Sequence, residues 1–188
     1  MNRAPWDAGW LVRARRCRSP NFGARPPATK VDLVVVHSIS LPPGEFGGDA
    51  VERLFANRLD WDAHPYYATI RGLVVSAHFL LRRDAELLQF VSCDQRAWHA
   101  GRSVWRGQAD CNDFSVGVEL EGLEGEVFEA AQYEALGRLI DEIARRYPIS
   151  AVAGHEHVAP GRKADPGVGF DWRRLERVVH HPGLEFAA

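Results

Sequence analysis

The stretch "GHEHVAPGRKADPG", residues 154–167, gathers two histidines, a glutamate, a lysine and an aspartate, and ends in the turn signal Asp-Pro-Gly. His155 follows a short apolar run, "SAVAG", that reads as a strand, and Asp165 lies ten residues further on. His37 closes a second run, "VDLVVVHS", β-branched and bounded by polar and proline-rich sequence, which reads as a buried strand. Loops at strand ends are where α/β sheets hold their sites. Two imidazoles and a carboxylate match the donor set of a catalytic zinc ion, with a fourth position left for water. On spacing alone a solvated surface loop fits as well. A helical zincin motif is excluded, because Ala159 stands where the second histidine of H-E-x-x-H would fall. His155 and His157, two apart, could instead chelate as a pair from one side of a strand.

Glu119 lies within "FSVGVELEG", where Phe114, Val116, Val118 and Leu120 face one way and Ser115, Gly117, Glu119 and Glu121 the other. As a general base it needs a raised pKa, from partial burial or from a neighbouring carboxylate such as Glu121. On the residues alone, a solvated sheet face is the favoured reading. Lys163, one residue from Asp165, could stabilise an oxyanion beside a metal, although an exposed lysine needs no such explanation. Trp98 in "AWHAG" could stack on a sugar or peptide, or fill a core. His64, His78, His180 and His181 read as surface residues.

Several elements must position these groups. A helix is expected over about 130–147, with Tyr133, Leu136, Leu139, Ile140, Ile143 and Tyr147 on one stripe and Pro148 as its stop. "LVVSAHFLL" and "ELLQFV" flank "RRDA" as a hairpin in which Ala85 sits where glycine is preferred. Asp49 and Glu52 have capping-box spacing before Val51, Leu54, Phe55 and Leu59. Asp171 should cap a last helix that carries Trp172, Leu175, Val178 and Val179. The expectation is one α/β domain, a mixed β-sheet flanked by helices, over 30–182. An extended N-terminal arm (1–29) precedes it and a short tail (183–188) follows.

At 188 residues the chain suits one domain, and a net charge of −2 gives no global field toward nucleic acid or anionic membrane. Arg13, Arg15, Arg16 and Arg18 read as scattered charge on a solvated arm rather than a phosphate patch. No apolar run is long enough to span a bilayer. The start lacks an apolar signal region, and Cys17, Cys93 and Cys111 are scattered, so a reducing, cytoplasmic location is expected.

Taken in order, "VVVHSISLPPGEFGG", "VSAHFLLRRD", "RAWHAG", "CNDFSVGVELEG" and "GHEHVAPGRKADPG" resemble the cytoplasmic 1,6-anhydro-N-acetylmuramyl-L-alanine amidases of cell-wall recycling. "SPNFGARP" and "DPGVGFDW" extend the match. The resemblance implies the fold shared with peptidoglycan recognition proteins and phage amidases. It implies Zn2+ held by His37, His155 and Asp165, with Glu119 as catalytic carboxylate and Lys163 over the reacting carbonyl. Trp98 and Ser38 would contact an anhydromuropeptide substrate, His157 would not be a ligand, and no nucleic acid or membrane partner is implied. A monomer is expected.

Three positions depart from the pattern. Ser38 replaces an expected asparagine, while Val74 and Asp110 stand where arginines are expected to grip stem-peptide carboxylates. The metal chemistry should be intact and the peptide preference shifted. Arg71, Arg102 and Arg106 are the cations that could compensate. A non-catalytic muropeptide-binding module and an amidase acting on intact wall are the competing readings. The complete donor set argues against the first, and the missing signal and wall-binding repeat argue against the second.

Overall fold

The computed structural model describes residues 4–187. Its centre is a seven-stranded mixed sheet: β1 (Arg15–Arg16), β2 (Leu33–Ile39), β3 (Phe79–Leu81), β4 (Leu87–Gln89), β5 (Ser115–Glu121), β6 (Ala151–Gly154) and β7 (Glu185–Phe186). The strands lie in the order β7-β6-β2-β5-β3-β4-β1, and only the β3–β4 hairpin is antiparallel. β2 and β5 are buried on both faces, which explains the near-continuous apolar run of β2.

One face is covered by the helix Ala130–Arg146, whose Tyr133, Leu136, Leu139, Ile140 and Ile143 pack with Val34, Val36, Val116, Val118 and Val152. The helix stops where Tyr147 turns extended ahead of Pro148, as the steric clash before proline requires. The last helix, Trp172–Val178, packs beside it, with the Asp171 carboxylate accepting from the Arg174 N–H as expected of a cap.

Two local expectations need correction. Phe114 does not share a face with Val116, Val118 and Leu120; it packs with Leu33, Val35 and Cys111 instead. It closes the 3-10 turn Cys111–Asp113 with ψ of 11°, so strict alternation begins only at Ser115. Asp49 and Glu52 form no capping box: Asp49 pairs with Arg53, and Glu52 accepts from Arg15 and Arg82. Charge-assisted bonds to guanidinium outweigh a cap on a helix of less than two turns. The hairpin forms, and Ala85 takes a φ of +70° in its turn.

The described part of the N-terminal segment, from residue 4 on, lies on the domain. Arg13 pairs with Glu142, Arg15 with Glu52 and Glu86, and Arg16 with Asp7, while Arg16 and Arg18 sit over the Trp10 ring. Arg25 is the deepest anchor of this segment. Its guanidinium donates to the carbonyls of Cys93, Asn112, Asp113 and Ser115. Among the described residues, no helix is long and apolar enough to cross a membrane.

Candidate metal centre

The parallel register of β2 and β5 places Glu119 directly beside His37. Both project from the sheet face opposite the long helix. β6, on the other side of β2, delivers His155 at the first residue of a single helical turn, His155–Val158. The chain then loops back, and the Glu156 N–H donates to the Asp165 carbonyl at 2.9 Å, closing the loop that carries Lys163. Three ends of chain far apart in sequence thereby converge.

His37 Nδ1, His155 Nδ1 and Asp165 Oδ2 form a triangle with edges of 3.0, 3.1 and 3.1 Å. A tetrahedral ion with ligand bonds of about 2.0 Å has edges of about 3.3 Å, so the triangle fits one face of such a site. His155 Nε2 lies 3.2 Å from the Ala100 carbonyl, which can only accept, and 3.5 Å from Arg162 Nη2; the shorter contact favours the hydrogen on Nε2, with the Nδ1 lone pair pointing into the cluster. Imidazole nitrogens and a carboxylate oxygen facing one another are a donor set that a cation satisfies. Two imidazoles and one carboxylate with an open side suit zinc. Among the described residues this is the one group of three such side chains close enough to share an ion.

His37, His155 and Asp165 line a cleft of about 380 Å³ together with Glu119, Lys163, Trp98 and Ser38, the seven residues to which the family resemblance gives a role. Glu119 is only 8% exposed, and the solvated-face reading of its strand gives way to a pocket floor. Burial pushes its carboxyl well above the ordinary value; the Asp165 charge adds to this and Lys163 opposes it. Glu121 plays no part in that shift. It is held by Arg82 and accepts from the Gly47 N–H, fixing the 44–48 loop. His157 is outside the cluster: its Nδ1 accepts from the Gly154 N–H, and its ring lies against Trp172.

His78 is no surface residue; it is fully buried. Its Nδ1 accepts from the Gly117 N–H and its Nε2 faces the Gln95 carbonyl, partners contributed by distant strands and loops. His99 is also buried, and its ring lies between those of His37 and His78. Burial holds His37 down to about 4 and His78 to about 3; it also places His99 well below its ordinary range, with His37 and His78 adding to the effect.

These three rings set an acid limit on stability. Each takes up a proton in the unfolded chain near its ordinary value of 6.5 and stays neutral in the folded one, so stability falls as pH drops below that value. Glu119 opposes this, because it is protonated in the folded chain above its ordinary 4.5. Three rings against one carboxyl leave a net uptake of protons on unfolding, so acidification destabilises the fold. Urea midpoints of the chelator-treated protein should therefore fall steeply from pH 6.5 toward 4.5. Constant midpoints across that range would refute the neutral, buried rings.

Val74 is half-exposed beside Leu73 and Val75, which line the cleft, whereas Asp110 is exposed on the 104–110 hairpin and outside the cleft lining. Arg71 is paired with Asp62 and Arg106 with Glu185.

The family model for N-acetylmuramoyl-L-alanine amidase matches residues 27–168. The chain is 50% identical over 175 residues to the 1,6-anhydro-N-acetylmuramyl-L-alanine amidase AmpD of Citrobacter freundii, covering 92% of this chain and 94% of that one. It is 49% identical to the AmpD of Escherichia coli strain K12, over 92% and 96%. A crystal structure of an AmpD selenomethionine derivative superimposes with a TM-score of 0.89 at 49% identity, over 93% of this chain and 98% of the other. The amidase AmiD of E. coli, in complex with anhydro-N-acetylmuramic acid-L-Ala-D-γ-Glu-L-Lys, superimposes with a TM-score of 0.59 at 30% identity, over 82% and 60%.

Proposed function

The chain belongs to the N-acetylmuramoyl-L-alanine amidase family, and on that premise we propose a zinc-dependent hydrolase of the amide between the lactyl group of 1,6-anhydro-N-acetylmuramic acid and L-alanine. Its place is peptidoglycan recycling in the cytoplasm. The relatives over nine-tenths of the chain carry that activity in their names, and three free cysteines suit a reducing compartment. The observation that carries the reading is the convergence of a three-donor metal site, a buried carboxyl and a lysine in one cleft.

His37, His155 and Asp165 would hold the zinc ion. When bound, it lowers the pKa of a water from about 15.7 to about 7 and polarises the carbonyl under attack. Glu119 takes a proton from the attacking water at its carboxylate oxygen and returns it to the departing alanine nitrogen. The raised affinity of Glu119 for a proton suits it to carry one between the two steps. Lys163, which lines the same cleft, would offer charge to the developing oxyanion. Trp98 and Ser38 line the cleft, where they would flank the sugar and peptide.

Incubating the protein with anhydro-N-acetylmuramyl-tripeptide and following free tripeptide by mass spectrometry tests the reading; binding without release would point to a recognition module. Lys163→Met should lower kcat about 10²–10³-fold with little change in KM, as measured for loss of an oxyanion donor. Lys163 is exposed, so its thermal midpoint should not move. An unchanged kcat would remove Lys163 from the chemistry.

Val74 places an apolar side chain at the cleft margin, Arg71 and Arg106 are engaged elsewhere, and Arg102 is outside the cleft lining. We therefore expect kcat/KM to favour a stem peptide whose third residue is lysine over one with meso-diaminopimelate. Equal turnover of the two would refute a shifted preference.

A further inference from the structure

We infer that His99 is a positioning residue that fixes His37 as an Nδ1 donor, an inference that rests on the metal-centre reading above. One hydrogen-bond chain leads from His37 away from the cleft. Ser115 Oγ lies 2.5 Å from the Cys111 carbonyl oxygen, which can only accept, so the hydroxyl hydrogen is committed there. His99 Nε2 lies 3.2 Å from the same Oγ, which has only lone pairs left to offer, so Nε2 carries the hydrogen. A neutral His99 then has its lone pair on Nδ1. That atom is 2.9 Å from His37 Nε2, so His37 must be the donor there. The His37 lone pair is left on Nδ1, the atom that faces His155 and Asp165.

The chain ends at a carbonyl and cannot conduct a proton onward, so its role is to select one tautomer and one ring orientation. Residues 99 and 100 do this for both imidazoles: His99 holds His37 by its side chain, and the Ala100 carbonyl holds His155. The pair is itself fixed by one side chain, since Asn112 Oδ1 accepts from the backbone N–H of both His99 and Ala100. Gly117 makes room for the arrangement. A Cβ there would come within 2.4 Å of His99 Cγ, so the ring lies directly on β5 where any other residue would displace it. Partners of this kind typically carry a factor of about 10–100 in metal affinity.

The test measures zinc affinity by chelator competition in the wild type, His99→Phe, His99→Gln and Ser115→Ala, together with imidazole nitrogen NMR of each protein after chelation. In the chelated wild type His37 should be protonated at Nε2. His99→Phe keeps a ring but removes the acceptor, and it should weaken zinc about 10–100-fold and mix the His37 tautomers. Ser115→Ala frees His99 to turn over and should do the same to a smaller degree. His99→Gln offers a carbonyl oxygen and should recover most of the affinity. Zinc affinity within twofold of wild type in both His99→Phe and Ser115→Ala, with the His37 tautomer unchanged, would overturn the inference. Failure of the wild type to bind zinc would instead remove the metal-centre reading, while the tautomer measurement would still report on the His99 bond.

Discussion

Glu119→Gln is expected to lower kcat by about a thousandfold, equivalent to about 4 kcal/mol of transition-state stabilisation, with KM nearly unchanged. Gln fills the same volume and can accept one hydrogen bond from a water, but it cannot take the proton and hand it on. The expectation follows from placement: Glu119 is held by strand register beside His37 on a cleft floor and is almost fully buried. Zinc content should stay at the wild-type value, because Glu119 is not in the donor triangle. Turnover within about tenfold of wild type would show that another group carries the proton.

The same substitution should make the chelated protein more stable at neutral pH, which separates a catalytic carboxyl from a structural one. The folded-state pKa of Glu119 is raised, so its ionised form penalises folding at every pH above that value. Below its ordinary 4.5 the side chain is neutral in both states and the penalty is gone. Thermal midpoints of Glu119→Gln and wild type should thus converge on acidification and separate at pH 7, with the variant higher. A carboxyl kept only for structure would give the opposite order.

What the sequence made legible follows the range of the forces involved. The long helix, the β2 strand, the Asp171 cap and the hairpin rest on patterns within about 17 residues, and all four form. The donor set was legible through the order of several motifs, because no single spacing separated a metal site from a wet loop. Glu119 shows why. Alternation along β5 is the same whether its polar face meets solvent or a pocket, and only the 98–100 and 155–165 segments laid over it decide. His78 and His99 were illegible for a related reason. Each is buried because partners from distant segments satisfy it, and neither "SAHF" nor "AWHAG" carries a trace of Gly117, Gln95 or Ser115. The unused capping box at Asp49 makes the same point in reverse: a correct local signal loses to guanidinium groups brought in from β1 and the hairpin.

Stripping the metal should reduce turnover at least about a thousandfold, with full recovery on adding one equivalent of zinc, because the remaining residues supply no substitute for its charge. The loaded protein should also be harder to unfold, by about 4.1 kcal/mol when free zinc is a thousandfold above its Kd. Asp165→Asn makes the sharper test. The Asp165 carboxylate oxygen sits 3.1 Å from two imidazole nitrogens and is the one anionic donor of the triangle. The amide keeps the volume and loses the charge, so the variant should lose most of the zinc affinity. The stabilisation that zinc gives the wild type should then be largely absent from the variant at the same zinc concentration. A residue that merely braces the loop would lower stability alike with and without zinc. Only a ligand makes the gap between the two unfolding curves widen on zinc addition. An equal gain from zinc in both proteins would leave the triangle without a metal role.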